Sequence, residues 1–141
     1  MNFDIKKNNI LKALDESGLR DFFEVIHESK DRIIIRSEQN ICNGICVISL
    51  ICYNTVFNSI YFDLGKLENK AKKENMLDLL NSINYENFMF KFYLDEDDFI
   101  IAEVTYIASN FDADEYVSLI VPAFQAIEDE YYSEIMRVIW S

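Results

Sequence analysis

Two alternating runs separated by a block of acids constrain this chain more than any other feature. Phe88, Phe90, Phe92 and Leu94 alternate with Met89, Lys91 and Tyr93. After Asp95-Glu96-Asp97-Asp98, Ile100, Ala102, Val104 and Tyr106 alternate with Phe99, Ile101, Glu103 and Thr105. Side chains on a strand point to opposite faces at every step, so alternation of this kind predicts two strands, and the short polar block predicts the hairpin between them.

The same logic extends upstream. Ile33-Ile34-Ile35 gives β-branched strand character from about Arg32 to Ser37, and Asn40 to Gly44 reads as a turn. From Gly44 to Tyr53 both faces are apolar: Ile45, Val47 and Ile51 on one, Cys46, Ile48, Leu50 and Cys52 on the other. That pattern predicts a central strand covered on both sides, by helices on one and by a partner subunit as a candidate for the other. Asn54-Thr55 reads as a turn into a further strand, Val56 to Leu64. Phe22 to His27 is ambiguous, with a short strand as one reading.

Helical spacing appears in three places. Ile10, Leu11 and Leu14 form a stripe within residues 3–16, and Gly18 is a C-terminal stop. Leu67, Ala71, Leu79, Leu80 and Ile83 form another from Lys66 to Ile83, with Met76 and Leu77 adding to the stripe and Asn84 as the expected end. Asp112 to Ile139 is the third. Asp112 with Glu115 fits a capping box, and Phe111 and Tyr116 stand where a hydrophobic staple packs. Pro122 removes a backbone hydrogen bond and crowds residue 118, so a kink or break is expected there. The order α-β-β-β-α-β-β-α predicts an α+β domain over residues 1–141, with an antiparallel sheet of about five strands flanked by helices.

Charge and cysteine usage narrow the function. The net charge is −12, and residues 94–141 hold twelve acids against one base, Arg137. Such a surface repels phosphate backbones, so no nucleic-acid partner is expected. The most apolar run, Ile45 to Tyr53, is too short for a bilayer, and the N-terminus does not read as a secretory signal. A cytoplasmic protein without a membrane partner is the expectation. Cys42, Cys46 and Cys52 lack metal-site spacing and are expected as reduced, buried thiols on one face.

No motif selects a catalytic residue. His27 is the single histidine, and Gly18, Gly44 and Gly65 are isolated, so a hydrolase triad and a phosphate loop are both disfavoured. No metal ligand set and no cofactor is expected, and Asp95 to Asp98 read as a solvated hairpin tip. Phe57, Tyr61, Met89, Tyr93, Phe99 and Ile101 fall on the strand faces opposite the helix-packed core. Two readings stay open for them: an exposed apolar surface for a second subunit or an extended polypeptide client, or plain core under a covering helix. With Ile45, Val47 and Ile51 they are the candidate contact residues. Tyr106, Phe124 and Tyr131 are the candidates for an alternative, a small-ligand pocket between the sheet and the last helix.

Three phrases carry a family resemblance. Leu79-Leu80-Asn81-Ser82-Ile83-Asn84, then Lys91-Phe92-Tyr93-Leu94-Asp95, then Asp129-Glu130-Tyr131-Tyr132 with Met136-Arg137-Val138-Ile139-Trp140 resemble the YbjN family in order and spacing. They cover residues 79–140; the earlier half matches only in its helix-then-strands pattern. The family often has proline where this chain has Ser133, which leaves open whether the last helix breaks at Pro122 or at Ser133. The resemblance implies a type III secretion chaperone-like fold, frequently dimeric, in a bacterial cytoplasmic protein. Members are described as sensory transduction regulators, a label more than a mechanism, and no catalytic residue carries over. The expectation is a non-enzymatic protein-binding module, homodimeric, with a chaperone-like or regulatory role toward a polypeptide client or regulatory partner.

Overall fold

In the computed structural model, which describes residues 2–141, every sheet contact is antiparallel. The strands are β1 (Glu24–Glu28), β2 (Arg32–Ile41), β3 (Gly44–Tyr53), β4 (Phe57–Lys66), β5 (Lys91–Leu94) and β6 (Phe99–Ile107), in the spatial order β1-β2-β3-β4-β6-β5. The helices are α1 (Phe3–Glu16), α2 (Lys73–Glu86), α3 (Ala113–Ser118), α4 (Ile120–Ala126) and α5 (Tyr132–Trp140). The α+β class holds, with six strands rather than five. The extra one, β1, resolves the ambiguous Phe22–His27 segment as an edge strand.

Alternation works as expected across the middle of the sheet. Ile35, Leu50, Ile60 and Val104 are register neighbours along one row. Ser37, Ile48, Phe62, Ala102 and Phe92 form the next. These rows pack against Ile10, Leu14, Met76, Leu80, Tyr116, Ile120, Ile127 and Ile135 from the helices in one core. The helices therefore cover one face of the sheet, and both faces of β3 are not covered within the chain.

Local chemistry fixes the helix ends. Gly18 sits at φ 78, and Leu19 and Gly18 donate to the carbonyls of Leu14 and Asp15, the paired bonds of a Schellman stop. The Lys6 ammonium is buried and donates to the carbonyls of Tyr53 at 2.7 Å and Thr55 at 3.1 Å, tying α1 to the β3–β4 turn. Asp112 accepts the Glu115 amide at 3.1 Å, and the Phe111 and Tyr116 rings lie 5.5 Å apart, so cap and staple are both present. The helix breaks at Leu119, between α3 and α4, where Pro122 has no N–H to offer Ser118. Ser133 starts nothing: the chain passes through a wide π turn at Ile127–Tyr131 and straight into α5.

Several boundaries depart from the sequence reading. Lys66 belongs to β4, and α2 starts only at Lys73, after a 3-10 turn capped by Asn69. Asn84 does not end α2. It lies inside the helix and uses its side-chain amide as a mock strand, donating to the Phe92 carbonyl at 2.9 Å and accepting the Phe92 N–H at 2.8 Å. Those bonds satisfy the outer edge of β5. Asn87 caps the helix and accepts the Phe90 amide at 2.6 Å, so residues 87–90 turn and the strand begins at Lys91, not Phe88. β2 runs on to Ile41, which confines the next turn to Cys42 and Asn43. Cys42 is therefore exposed at φ 49 in that turn, and only Cys46 and Cys52 are buried.

Candidate functional site

The face of the sheet turned away from the helices presents a broad set of apolar side chains among its polar ones. Counting parity from the paired registers, it presents Arg32, Ile34, Arg36 and Glu38 from β2, and Ile45, Val47, Ser49, Ile51 and Tyr53 from β3. From β4 it presents Phe57, Ser59, Tyr61 and Asp63, and from β6 Phe99, Ile101, Glu103, Thr105 and Ile107. Ile45, Phe57 and Ile107 are 59%, 53% and 62% exposed. Val47, Ile51, Tyr53, Tyr61, Tyr93 and Phe99 are half-buried, sheltered by their neighbours on the sheet.

Eight of the nine candidate contact residues thus share one surface: Ile45, Val47, Ile51, Phe57, Tyr61, Tyr93, Phe99 and Ile101. Met89 does not join them. It is exposed in the turn before β5, which the Asn87 cap removes from the strand. Among the described residues no helix lies over this face, and Ile101, although only 8% exposed, stands outside the helix-packed core, so the reading of these residues as core under a helix fails. The proposed pocket trio is not brought together. Tyr106 packs on Phe111 and Tyr116 at ring distances of 5.7 and 5.8 Å. Tyr131 packs on Phe92 at 5.2 Å. Phe124 lines a separate apolar dip of about 150 Å³ with Leu19, Phe22, Phe23 and Val121.

The middle of the open face is a shallow concavity of about 420 Å³, walled by Arg36, Val47, Ser49, Ile51, Tyr61, Asp63, Tyr93, Asp95 and Ile101. Its polar groups are partly committed. Tyr93 Oη donates to Glu103 Oε1 at 3.1 Å, and Thr105 Oγ1 donates to Oε2 of the same carboxylate at 3.3 Å. Arg36 Nε donates to Ser49 Oγ at 3.3 Å. The Lys91 ammonium stands 5.0 Å above the Tyr93 ring. Burial raises the Asp63 carboxyl above its usual range, with Asp95 adding to the effect. Burial and then the charge of Glu103 raise both Tyr61 and Tyr93. Each of these shifts favours the neutral form of its group.

Elsewhere the candidate chemistry is structural. Asp95 Oδ1 accepts the amides of Asp97 and Phe99, both at 2.9 Å, and Asp98 pairs with Lys73 at 3.0 Å. These two acidic side chains build the hairpin turn and anchor it. Among the described residues no group of three His, Cys, Asp or Glu side chains is placed to hold a metal ion. His27 is exposed on the edge strand. Burial pushes the Cys46 and Cys52 thiols up to about 12 and about 11.

The charged residues of the open face were not singled out by the sequence reading, although β2 parity marks two of them. Once the β2–β3 turn is placed at Cys42-Asn43, Arg32 and Arg36 must lie on the same side as Val47 and Ile51. Lys91 on β5 shares the alternation that sets Tyr93 opposite Phe92, whereas Glu24 on β1 offered no such signal, because it sits on a short edge strand with little alternation.

A one-sided helical layer on a six-stranded antiparallel sheet defines a class of small α+β domains. Within that class the chain belongs to the YbjN family: the family model, described as "Putative bacterial sensory transduction regulator", matches residues 7–135. No curated protein and no solved structure gives a match. The phrases that carry the family resemblance converge at one corner of the fold. Asn84 bonds the backbone of Phe92, Tyr131 rests on Phe90 and Phe92, and Tyr132 lies against Gly44, where any larger residue would collide with its hydroxyl. Their work is to hold β5 and the last helix to the sheet.

Proposed function

We propose that this chain is a non-enzymatic regulator of the bacterial cytoplasm that acts by binding protein through its open sheet face, in the chaperone-like manner of a module that shields apolar surface. The observation that carries the reading is the open face itself. A half-dozen large apolar residues there have no cover from the chain's own helices, while the opposite face is fully packed. Supporting it, the buried thiols are raised well out of the nucleophilic range, and the net charge of −12 disfavours nucleic acid. No helix of the described residues is long and apolar enough to cross a membrane.

The test is site-specific photocrosslinking in living bacteria. A photoreactive residue at Ile45 on the open face is expected to give a discrete polypeptide adduct. The same residue at Leu77, which is 46% exposed on the helical layer, is the control. No adduct at Ile45, or equal adducts at both positions, would overturn the reading.

A further inference from the structure

One row across the open face has a charge order with a consequence. Register pairing places Glu24, Arg36, Ser49, Tyr61, Glu103 and Lys91 side by side on β1, β2, β3, β4, β6 and β5. Directly paired residues of antiparallel strands point to the same side, and Val25, Ile35, Leu50, Ile60, Ala102 and Phe92 beside them all point to the core. The row therefore reads negative, positive, neutral, neutral, negative, positive from edge to edge. It is antisymmetric about its centre, the line between β3 and β4.

From this pattern we infer that the open face is occupied by a second copy of this chain, packed face to face about a two-fold axis that runs along the strands between β3 and β4. Such an axis lays β2 of one copy over β6 of the other, β3 over β4, and β1 over β5. Arg36 then meets the second copy's Glu103, Lys91 meets its Glu24, and Ser49 meets its Tyr61. Every element of the row faces its complement, and each contact occurs twice, as an isologous interface requires. The other in-plane axis, across the strands, sets β2 over β2 and β6 over β6, which brings like charges together along this row.

Three further observations fit that arrangement. Arg36 makes no ion pair among the described residues, and its one side-chain bond is the Nε contact to Ser49, which leaves the guanidinium ends free for an outside carboxylate. Ser49 is the small member of the row and lines the shallow concavity, so a tyrosine from above has somewhere to go. In the row toward the β3–β4 turn, Tyr53 and Phe57 change places under the same axis, which lays an aromatic ring over an aromatic ring. Size is adequate too. Six strands about 4.8 Å apart, most of them nine or ten residues at roughly 3.3 Å each, give a face on the order of 25 by 30 Å, close to the ~800 Å² per partner of a standard stable interface.

This inference rests on the protein-binding reading of the open face, and a charge-swap experiment separates the two. The dissociation constant of the purified full chain is measured by sedimentation for the wild type, Arg36→Glu, Glu103→Arg and the double variant, with thermal melts to check folding. Each single variant turns two attractive contacts into repulsive ones and is expected to weaken self-association ~100-fold or more. The double variant restores both pairs with reversed sign and is expected to return to within ~10-fold of wild type. A wild-type dimer that tolerates both single changes, or is not rescued in the double variant, overturns this axis while leaving the open face as the binding surface. A wild type that stays monomeric at millimolar concentration, yet still gives a crosslinked foreign polypeptide at Ile45, overturns self-pairing alone. Monomer without any adduct overturns both.

Discussion

The two faces of one sheet obey the same alternation and end in different states. On the helical side, Ile33, Ile35, Leu50, Ile60, Phe62 and Ile100 are fully removed from water. On the other side, residues of similar size one step along the same strands keep more contact with water: Ile34, Ile51 and Tyr61 are partly exposed, and only Ile101 is closed off by its neighbours on the sheet. Apolar character alone therefore does not place a residue in the core of this fold. The difference comes from where the chain puts its helices, all of which fall on one side of the sheet. The comparison also separates two kinds of polarity. The core side ties most of its few polar groups to the backbone, as when the Tyr116 hydroxyl donates to the Ser59 carbonyl at 2.7 Å and Asn58 Nδ2 to the Tyr106 carbonyl at 3.1 Å, with Asn58 Oδ1 left buried and unpaired. The open side arranges its polar groups as charges across a row.

The largest test of this contrast is a pair of neighbours on β3. Leu50→Ala is expected to cost about 2–5 kcal/mol of unfolding free energy, because it leaves a cavity in a close-packed interior. Ile51→Ala, one residue away on the open face, should cost less than ~1 kcal/mol in denaturant titrations of the dilute single chain. Equal costs would break the distinction between the faces. A smaller effect is expected from Tyr116→Phe, which leaves the Ser59 carbonyl without its buried donor. About 1–2 kcal/mol should be lost, with ring packing unchanged, and chemical denaturation reads it directly.

The smallest effect concerns Asp63 on the open face. Its folded carboxyl lies above the ordinary value of 3.8, so ionisation opposes folding. The folded state binds this proton more tightly than the unfolded chain does, so stability from this group rises as pH falls through the folded value and levels off below 3.8. Asp63→Asn keeps the oxygen that accepts the Gly65 amide at 2.9 Å. It should raise the melting temperature slightly at pH 7, and the gain should vanish below about pH 4. A gain that persists at pH 3 would show that desolvation of the charge is not its source.

Much of the architecture was legible because it depends on local rules. Alternation marked β3, β4 and β6, the Asp112 cap and Phe111 staple marked the start of α3, and Pro122 marked its end. β1 stayed ambiguous because Glu24–Glu28 is a largely polar edge strand with only Val25 turned to the core. The start of β5 escaped because a side-chain cap at Asn87 overrides the alternation of Phe88 and Met89. The open face was legible for the same reason as the core, since parity defines both at once. The pocket trio was not. Helical spacing places Phe124 and Tyr131 on one stripe, but the π turn comes between those two, the break at Leu119 separates both from Tyr106, and distance in space is not contained in the period.

That π turn at Ile127–Tyr131 has an effect on phase. An α-helix rotates about 100° per residue, so two adjacent tyrosines on a regular helix would diverge, with only one facing the sheet. Widening a single turn delays the rotation, and both Tyr131 and Tyr132 stay on the inner side: the first against Phe92 at 5.2 Å, the second in the notch that Gly44 leaves open. The turn behaves like one extra tooth on a gear. Deleting a single residue from Glu128 to Glu130 would let the turn close as an ordinary helix, with Ile135 to Trp140 still in phase but only one of the two tyrosines left facing the sheet.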